Sequence, residues 1–200
     1  MEAPALRISN IVMGRQLNGP RVSYLLSPDG TGEQRAAPET VVLRRWRQRQ
    51  MKGHTFAGSR LSSTLWRAVA FAFGDSLQQI EAMTEQDLER HIEGHHDAMK
   101  KKHLSLPSAT ILKTLTSDLG PDRLRQLVER HTADSHRRRS GVPDLYLYAR
   151  PGTSTGRPAF SRFVEVKKPS ERILPDQNDE IAFMQSLGLR ARVLRLIERG

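Results

Sequence analysis

The stretch "GVPDLYLYARPGTSTGRPAFSRFVEVKKP", residues 141–169, contains two segments with the composition of β-strands. Residues 144–149 alternate leucine with tyrosine, and residues 162–167 combine phenylalanine and valine with charged side chains. Residues 151–158, between them, are rich in glycine, proline, serine and threonine, which favour turns. The stretch therefore predicts a β-hairpin.

Three charged side chains of this hairpin share one face. A hairpin that is symmetric about the middle of its loop places Asp144 opposite Glu165, with their Cβ atoms about 5 Å apart. Lys167 follows Glu165 on the same face, because alternate residues of a strand point to the same side. Two carboxylates so placed repel each other unless a cation or a proton relieves them. The register therefore predicts a cation site.

The residue types at this site favour one kind of chemistry. Two carboxylates suit Mg²⁺ or Mn²⁺, because these cations keep several water molecules and need few protein ligands. Such a cation can stabilise negative charge that develops on a phosphate. The ammonium of Lys167 can hold the attacking water and favour its deprotonated form. The site therefore predicts hydrolysis of a phosphodiester.

The overall composition indicates a globular chain. Its 200 residues are 37% apolar and 27% charged, which is typical of a folded domain. There is no cysteine, so a disulfide framework and a thiolate metal site are excluded. The longest apolar run, residues 68–73, is too short to span a bilayer, and no signal-peptide pattern begins the sequence. We therefore expect an intracellular protein with no membrane partner.

The charge balance indicates a polyanionic partner. Lysine and arginine number 32 against 22 acidic residues, which gives a formal net charge of +10. Nucleic acid is the commonest partner of so basic a chain. An anionic membrane surface would instead require a basic amphipathic helix with an apolar opposite face, and no clean example is evident.

The motif lies within a longer pattern that resembles a known family. The segments "RRRSGVPDLYLY" and "FVEVKKPSERILPDQNDEIAFMQSLGLRARVL" resemble the VRR-NUC domain, a branch of the PD-(D/E)XK nucleases. Within that branch, the similarity is greatest to the Fanconi-associated nuclease type, a structure-specific DNA repair enzyme. The resemblance is dense over residues 130–196. It implies an α/β, restriction-endonuclease-like fold in which helices flank a small mixed sheet with a catalytic hairpin.

The resemblance and the local patterns together predict the organisation of the chain. Residues 176–187 favour a helix that ends at Gly188, and residues 190–197 favour a strand. The N-terminal half is predicted to be mainly helical. The predicted parts are an N-terminal segment with possible strands (1–37) and a nuclease domain (38–200), which divides into a helical part (38–133) and a VRR-NUC core (134–198).

The resemblance also implies roles for individual residues. Asp144 and Glu165 would bind the metal, and the backbone carbonyl of Val166 would complete the protein ligands. Lys167 would position the attacking water. Gln177, near the start of the helix that follows, matches a glutamine that supports the active site in the family.

One family acid is missing from this sequence. Residues 38–66, "PETVVLRRWRQRQMKGHTFAGSRLSSTLW", resemble the family's helix, glycine turn and second helix more faintly. The family carries a metal-site glutamate before the glycine of that turn, and Ala57 occupies its place here. Glu39 and His54 are possible substitutes, although neither matches the motif.

Several cations border the predicted site. Arg137, Arg138 and Arg139 precede the first strand of the hairpin, and a solvated basic turn is the ordinary explanation for such a run. Beside a phosphodiesterase site, phosphate contact is favoured instead, because guanidinium groups match phosphate oxygens. Lys168 and Arg172 follow the second strand and would extend this nucleic-acid contact.

The expected function is therefore that of a Mg²⁺- or Mn²⁺-dependent DNA phosphodiesterase. The resemblance implies flap or branched DNA as the substrate and DNA repair as the setting. Two alternatives stay open. Because of Ala57, the chain could be a catalytically impaired DNA-binding module with a nuclease fold. It could also be a standalone homodimeric junction resolvase, although the extended helical half favours a monomer.

Overall fold

The computed structural model describes residues 8–13, 16–17, 23–25, 35–133, 141–152 and 158–198. The strands are β1 (Ile8–Met13), β2 (Gln16–Leu17), β3 (Ser23–Leu25), β4 (Arg35–Ala36), β5 (His54–Arg60), β6 (Leu145–Pro151), β7 (Phe160–Lys167) and β8 (Ala191–Glu198). The α-helices are α1 (Pro38–Arg47), α2 (Leu65–Phe73), α3 (Gln79–Ala82), α4 (Glu85–Lys101), α5 (Ala109–Leu119), α6 (Pro121–Ala133) and α7 (Pro175–Ser186). A short 3₁₀ turn, Gly74–Ser76, follows α2.

The strands form a five-stranded mixed sheet in the order β1-β8-β7-β6-β5, beside a small sheet of β2, β3 and β4. In the larger sheet, β5, β6 and β7 are antiparallel neighbours, whereas β8 is parallel to both β7 and β1. A parallel pair requires a crossover, and α7 supplies it between β7 and β8. The structure therefore has the α/β architecture that the sequence predicts, with helices flanking a small mixed sheet.

The predicted register of the hairpin is confirmed. Leu145 pairs with Val164, and Tyr146 pairs with Phe163. Asp144, one residue before this ladder, therefore stands beside Glu165. The strands alternate apolar residues between two buried faces, and this alternation resists a slip of one residue.

The two faces of the sheet pack against different helices. Leu145, Val164 and Val166 lie in a core cluster with the apolar side of α1. Tyr146 and Phe163 lie in a larger cluster with α2, α4, α5, α6 and α7. By alternation, Glu165 and Lys167 point to this second face, at the end of the hairpin remote from its turn.

One element of the N-terminal half differs from expectation. Residues 54–60 form strand β5 rather than a glycine turn between helices, and Gly58 lies within that strand. A Cβ atom at Gly58 would stand 2.8 Å from both Leu147 Cδ2 and the carbonyl oxygen of Tyr146. Close packing against β6, and not a turn, therefore explains this glycine.

The described helices differ in length or apolar character from membrane-spanning helices. Among the described residues, none of the helices is both long and apolar enough to cross a bilayer.

Candidate active site

Backbone hydrogen bonds hold Asp144 between two strands. Its carbonyl oxygen accepts the N–H of Leu61, at 2.8 Å, directly after β5. Its side-chain Oδ2 accepts the N–H of Val166, also at 2.8 Å, on β7. Asp144 is half-buried, so its side chain still reaches solvent.

The carbonyl of Val166 lies beside this carboxylate. In a strand, the N–H and C=O of one residue point to the same edge. The N–H of Val166 points to Asp144, so its carbonyl shares that side. The β6–β7 ladder ends at the Leu145–Val164 pair, which leaves the Val166 carbonyl beyond the last pair of the ladder.

Glu165 is buried and has two donors on one oxygen. Its side chain is about 4% exposed, and its Oε1 lies 3.1 Å from Lys167 Nζ. Gln177 Nε2 donates a hydrogen bond to the same oxygen. Gln177 Oε1 in turn accepts the N–H of Leu174, at 3.0 Å. The first turn of α7 therefore orients the amide that meets Glu165.

Lys167 is held by a second carboxylate that the sequence analysis missed. Its Nζ lies 3.2 Å from Glu171 Oε1, and its side chain is 2% exposed. Glu171 Oε2 also accepts the N–H of Lys168, at 3.3 Å. The sequence gives one signal for this contact, which is an acid four positions after Lys167. In a loop, unlike in a helix, a spacing of four residues does not place two side chains together.

Arg195 fixes the loop that carries Glu171. Lys167 and Arg195 are partners in the parallel β7–β8 register. Arg195 Nη1 donates to the carbonyl oxygens of Lys168 at 3.2 Å, Pro169 at 2.9 Å and Glu171 at 2.9 Å. One guanidinium therefore donates hydrogen bonds to three carbonyl oxygens of the turn. This turn places Glu171 against Lys167.

Burial is the main cause that raises the pKa values of the two acids. Burial raises the pKa of Asp144 to about 6, and the charge of Glu39 adds to the rise although the Val166 N–H opposes it. Burial also raises the pKa of Glu165 to about 7, with a further rise from Asp144 that Lys167 partly offsets. Both carboxyls therefore sit where their negative charge needs a positive partner.

Lys167 keeps its proton despite its position. Burial lowers the pKa of its ammonium, but the carboxylates of Glu165 and Glu171 outweigh that effect and leave the pKa raised. The group is therefore a cation and a hydrogen-bond donor at neutral pH, not a base.

Ala57 is not beside the carboxylates, so the predicted position of the missing acid is wrong. It pairs with Tyr148 on β6, whereas Leu61 is the residue that meets Asp144. Four strand positions separate Ala57 from Leu61, which is about 13 Å. His54 pairs with Pro151, at the opposite end of β6, so it does not replace the acid.

Glu39 is the upstream acid that reaches this region. It lies in the first turn of α1, and its charge contributes to the raised pKa of Asp144. Arg60 Nη2 holds its carboxylate at 3.0 Å. The structure therefore brings a further carboxylate near the pair from a helix, and not from the segment around Ala57.

The residues present fit a hard divalent cation. The closely placed acids, with pKa values raised first by burial, and for Glu165 also by the charge of Asp144, form a negative site that such an ion would relieve. Within the described part of the chain, no three His, Asp or Glu side chains converge on one point. Two carboxylates and a carbonyl, completed by water, would form a donor set that suits Mg²⁺ or Mn²⁺ better than Zn²⁺.

The predicted nucleic-acid contacts are only partly described. Arg137, Arg138 and Arg139 fall outside the described residues. Lys168 is half-buried and Arg172 is exposed, and both lie in the segment between β7 and α7 that borders the site. Their contact with nucleic acid stays a prediction.

Comparison with known proteins places the chain in a family. The model of the VRR-NUC domain matches residues 81–196. Similar solved structures include paFAN1 bound to DNA with a gap and a 1-nucleotide 5′ flap, and paFAN1 bound to DNA with a gap and a 2-nucleotide 5′ flap. Each is 15% identical, with a TM-score of 0.60, and the match covers 100% of this chain and 39% of that chain. No curated protein matches.

This chain thus spans 39% of the length of those paFAN1 chains, and at 15% identity the likeness concerns the fold. The domain model, in contrast, covers more than half of the sequence and includes Asp144, Glu165, Lys167 and Gln177. The chain belongs to the VRR-NUC domain family.

Proposed function

We propose that this protein is a metal-dependent deoxyribonuclease that hydrolyses phosphodiester bonds. The observation that carries the proposal is the contact between Lys167 and Glu165, at 3.1 Å, beside Asp144 at the end of the hairpin. A buried lysine that is paired with a carboxylate next to a second, half-buried carboxylate is suited to electrostatic catalysis on an anionic substrate.

Asp144, Glu165 and the carbonyl of Val166 would hold Mg²⁺ or Mn²⁺. When bound, the cation would stabilise the negative charge that develops on the scissile phosphate. Glu39 adds negative charge near the pair and would attract the cation from solvent. Gln177 would keep Glu165 in one orientation, because its own amide oxygen is tied to the N–H of Leu174.

Lys167 would orient the attacking water. Its ammonium carries a positive charge that favours loss of a proton from a water molecule at hydrogen-bond distance. Glu165 and Glu171 fix its position from two sides, so the donor is preorganised. The guanidinium of Arg195 holds the turn that carries Glu171.

DNA with a flap or branch is the proposed substrate, and DNA repair is the proposed setting. The net charge of +10 favours a polyanion. The paFAN1 structures with the same fold hold 5′-flap DNA, which supports this class of substrate by analogy. The cations at Lys168 and Arg172 would contact phosphates next to the cleaved bond.

The test is cleavage of labelled 5′-flap, four-way-junction and duplex DNA with Mg²⁺, with Mn²⁺ and with EDTA. We expect cleavage of the flap with either cation and none with EDTA. Asp144→Ala and Lys167→Ala should abolish cleavage, whereas Arg125→Ala, at an exposed site on α6, should retain it. Cleavage in EDTA, or full activity in either site variant, would contradict the mechanism.

The same assay separates the alternatives. Salt-sensitive DNA binding without turnover under any condition would identify a DNA-binding module with a nuclease fold. Preferred cleavage of the four-way junction by a dimer, with the mass measured in solution, would identify a junction resolvase.

A further inference from the structure

A dense group of cations lies on α1 and the loop that follows it. Between residues 44 and 52 the sequence "RRWRQRQMK" contains five basic residues and no acid. All five side chains are exposed. We name this group the α1 basic ridge, and its members are Arg44, Arg45, Arg47, Arg49 and Lys52.

Helix α1 begins near the candidate active site, and the ridge lies at and beyond the other end of the helix. At the start of α1, Arg60 Nη2 meets Glu39 Oε2 at 3.0 Å. Further along, Arg47 Nη2 donates to the carbonyl oxygen of Gly58 at 2.9 Å. Helix α1 therefore runs antiparallel to β5, and Arg47 lies about 12 Å from Glu39 along the helix axis.

The ridge is attached firmly to the core. Trp46 is 5% exposed, and its Nε1 donates to the carbonyl oxygens of Ala57 at 2.8 Å and Tyr148 at 3.1 Å. The guanidinium of Arg49 lies 5.1 Å from the centre of the Trp46 ring. The cations therefore occupy a rigid surface. When a ligand binds there, little of the protein backbone has to become ordered.

The helix dipole explains only part of this arrangement. Cations in the last turn of a helix are favoured by the helix dipole, which accounts for Arg44, Arg45 and Arg47. Arg49 and Lys52 lie beyond the end of the helix, so the dipole gives no reason for them. These two additional cations indicate a surface suited to an extended anion.

We propose that the α1 basic ridge binds the phosphate backbone of the DNA duplex at a distance from the cleaved bond. The proposal rests on the proposed function, because it takes the substrate to be DNA. A duplex carries one negative charge per roughly 1.7 Å of its axis, so the five cations of the ridge can meet several phosphates. The ridge gives affinity and orientation, while the site around Asp144 performs the chemistry.

The test is the salt dependence of binding to 5′-flap DNA in EDTA, followed by fluorescence anisotropy between 50 and 200 mM KCl. In Arg45→Gln/Arg49→Gln/Lys52→Gln, we expect the slope of log K against log[salt] to become shallower by about 2 to 3, since each phosphate contact contributes roughly 0.9. The rate of cleavage at saturating enzyme should stay within about twofold, because no reacting group is touched.

A matched control removes the same charge elsewhere. Arg90→Gln/Arg123→Gln/Arg125→Gln takes three cations from exposed positions on α4 and α6, where Arg90 and Arg125 pair with Asp87 and Asp122. We expect its slope to change by less than about 1. Arg45→Lys/Arg49→Lys keeps the charges and should keep the slope. Thermal unfolding checks that each variant is folded.

Equal slopes for the ridge variant and the control would overturn the proposal. Unchanged DNA binding together with ridge-dependent binding to phosphatidylserine vesicles or polyglutamate would assign the ridge to another polyanion and would also overturn it. Ridge-dependent DNA binding without any cleavage by the wild type would contradict the proposed function and leave the ridge supported.

Discussion

Gln177 donates a hydrogen bond to the carboxylate of Glu165, and so joins the first turn of α7 to strand β7. The other end of the same amide accepts the N–H of Leu174 at 3.0 Å, as in a capping interaction at a helix N-terminus. This double use leaves the amide with one orientation, in which its nitrogen faces Glu165.

Gln177→Ala should therefore lower the cleavage rate, or the affinity for the cation, by about 10- to 100-fold, as is usual when the support of a ligand is lost. Single-turnover rates over a Mg²⁺ titration would separate the two effects. Gln185→Ala is the matched control, since Gln185 lies on the same helix but donates to the carbonyl of Ala191. Equal rates for wild type and Gln177→Ala at all metal concentrations would refute the assigned role.

Arg195→Ala should lower the cleavage rate by roughly 10- to 100-fold while DNA affinity changes little, because the loss loosens the turn that positions Glu171 and Lys167. Arg195→Lys should recover part of the rate, since an ammonium can still meet some of the three carbonyls. Arg190→Ala, an exposed neighbour before β8, serves as control. A fall in affinity without a fall in rate would show that Arg195 contacts DNA instead.

The metal-free protein should lose stability as the pH rises from 5 to 8. The pKa of Glu165 is raised from 4.5 to about 7, so its contribution is fully present below 4.5 and is lost as the pH rises through 7. The shift corresponds to about 3 kcal/mol at most. Urea unfolding in EDTA would measure it, and Glu165→Gln should flatten the profile.

Added Mg²⁺ should restore stability at pH 8, because a ligand of the folded state shifts the unfolding equilibrium by mass action. A metal-free profile that is flat between pH 5 and 8 would show that burial does not raise the pKa of Glu165.

Glu180→Ala should destabilise the fold by about 3 kcal/mol, because it removes the buried acceptor that Arg130 and His131 share. Glu180 is 1% exposed on α7 and meets Arg130 at 3.0 Å and His131 at 2.8 Å, both on α6. The free energy of unfolding in urea is the measurement, and Asp179→Ala, at the exposed neighbouring position, is the control. If the free energy of unfolding falls no more than in the control, the packing of α6 against α7 does not depend on this contact.

Ala57→Glu should give no gain of cleavage, since Ala57 is about 13 Å along the strand from the level of Asp144. Glu39→Ala should instead lower the apparent affinity for Mg²⁺, because it removes the acid whose charge acts on Asp144. Arg60→Ala breaks the ion pair between Arg60 and Glu39 but keeps the Glu39 carboxylate. It therefore separates the loss of the ion pair from the loss of the negative charge. A large gain in Ala57→Glu would restore the interpretation of a missing ligand.

Local sequence patterns predicted the hairpin, its register and the grouping of Asp144, Glu165 and Lys167. The reason is that a short loop and a two-residue alternation leave little freedom in how neighbouring strands pair. A supporting position for Gln177 was expected from the family resemblance, and its contact with Glu165 comes from the structure. The roles of these residues in catalysis, the phosphate contacts and the domain boundaries stay predictions.

Contacts between distant parts of the chain decided the rest. Residues 54–60 carry a weak local signal and become a strand because β6 pairs with them, about ninety positions later in the sequence. Glu39 reaches the site only because α1 packs along that strand, and Arg195 reaches the turn before α7 only because β8 lies beside β7. Propensity acts over a few neighbouring residues, whereas these placements depend on burial across the whole sheet. The sequence by itself therefore determined the hairpin that carries Asp144, Glu165 and Lys167, and only the tertiary structure decided which other side chains surround it.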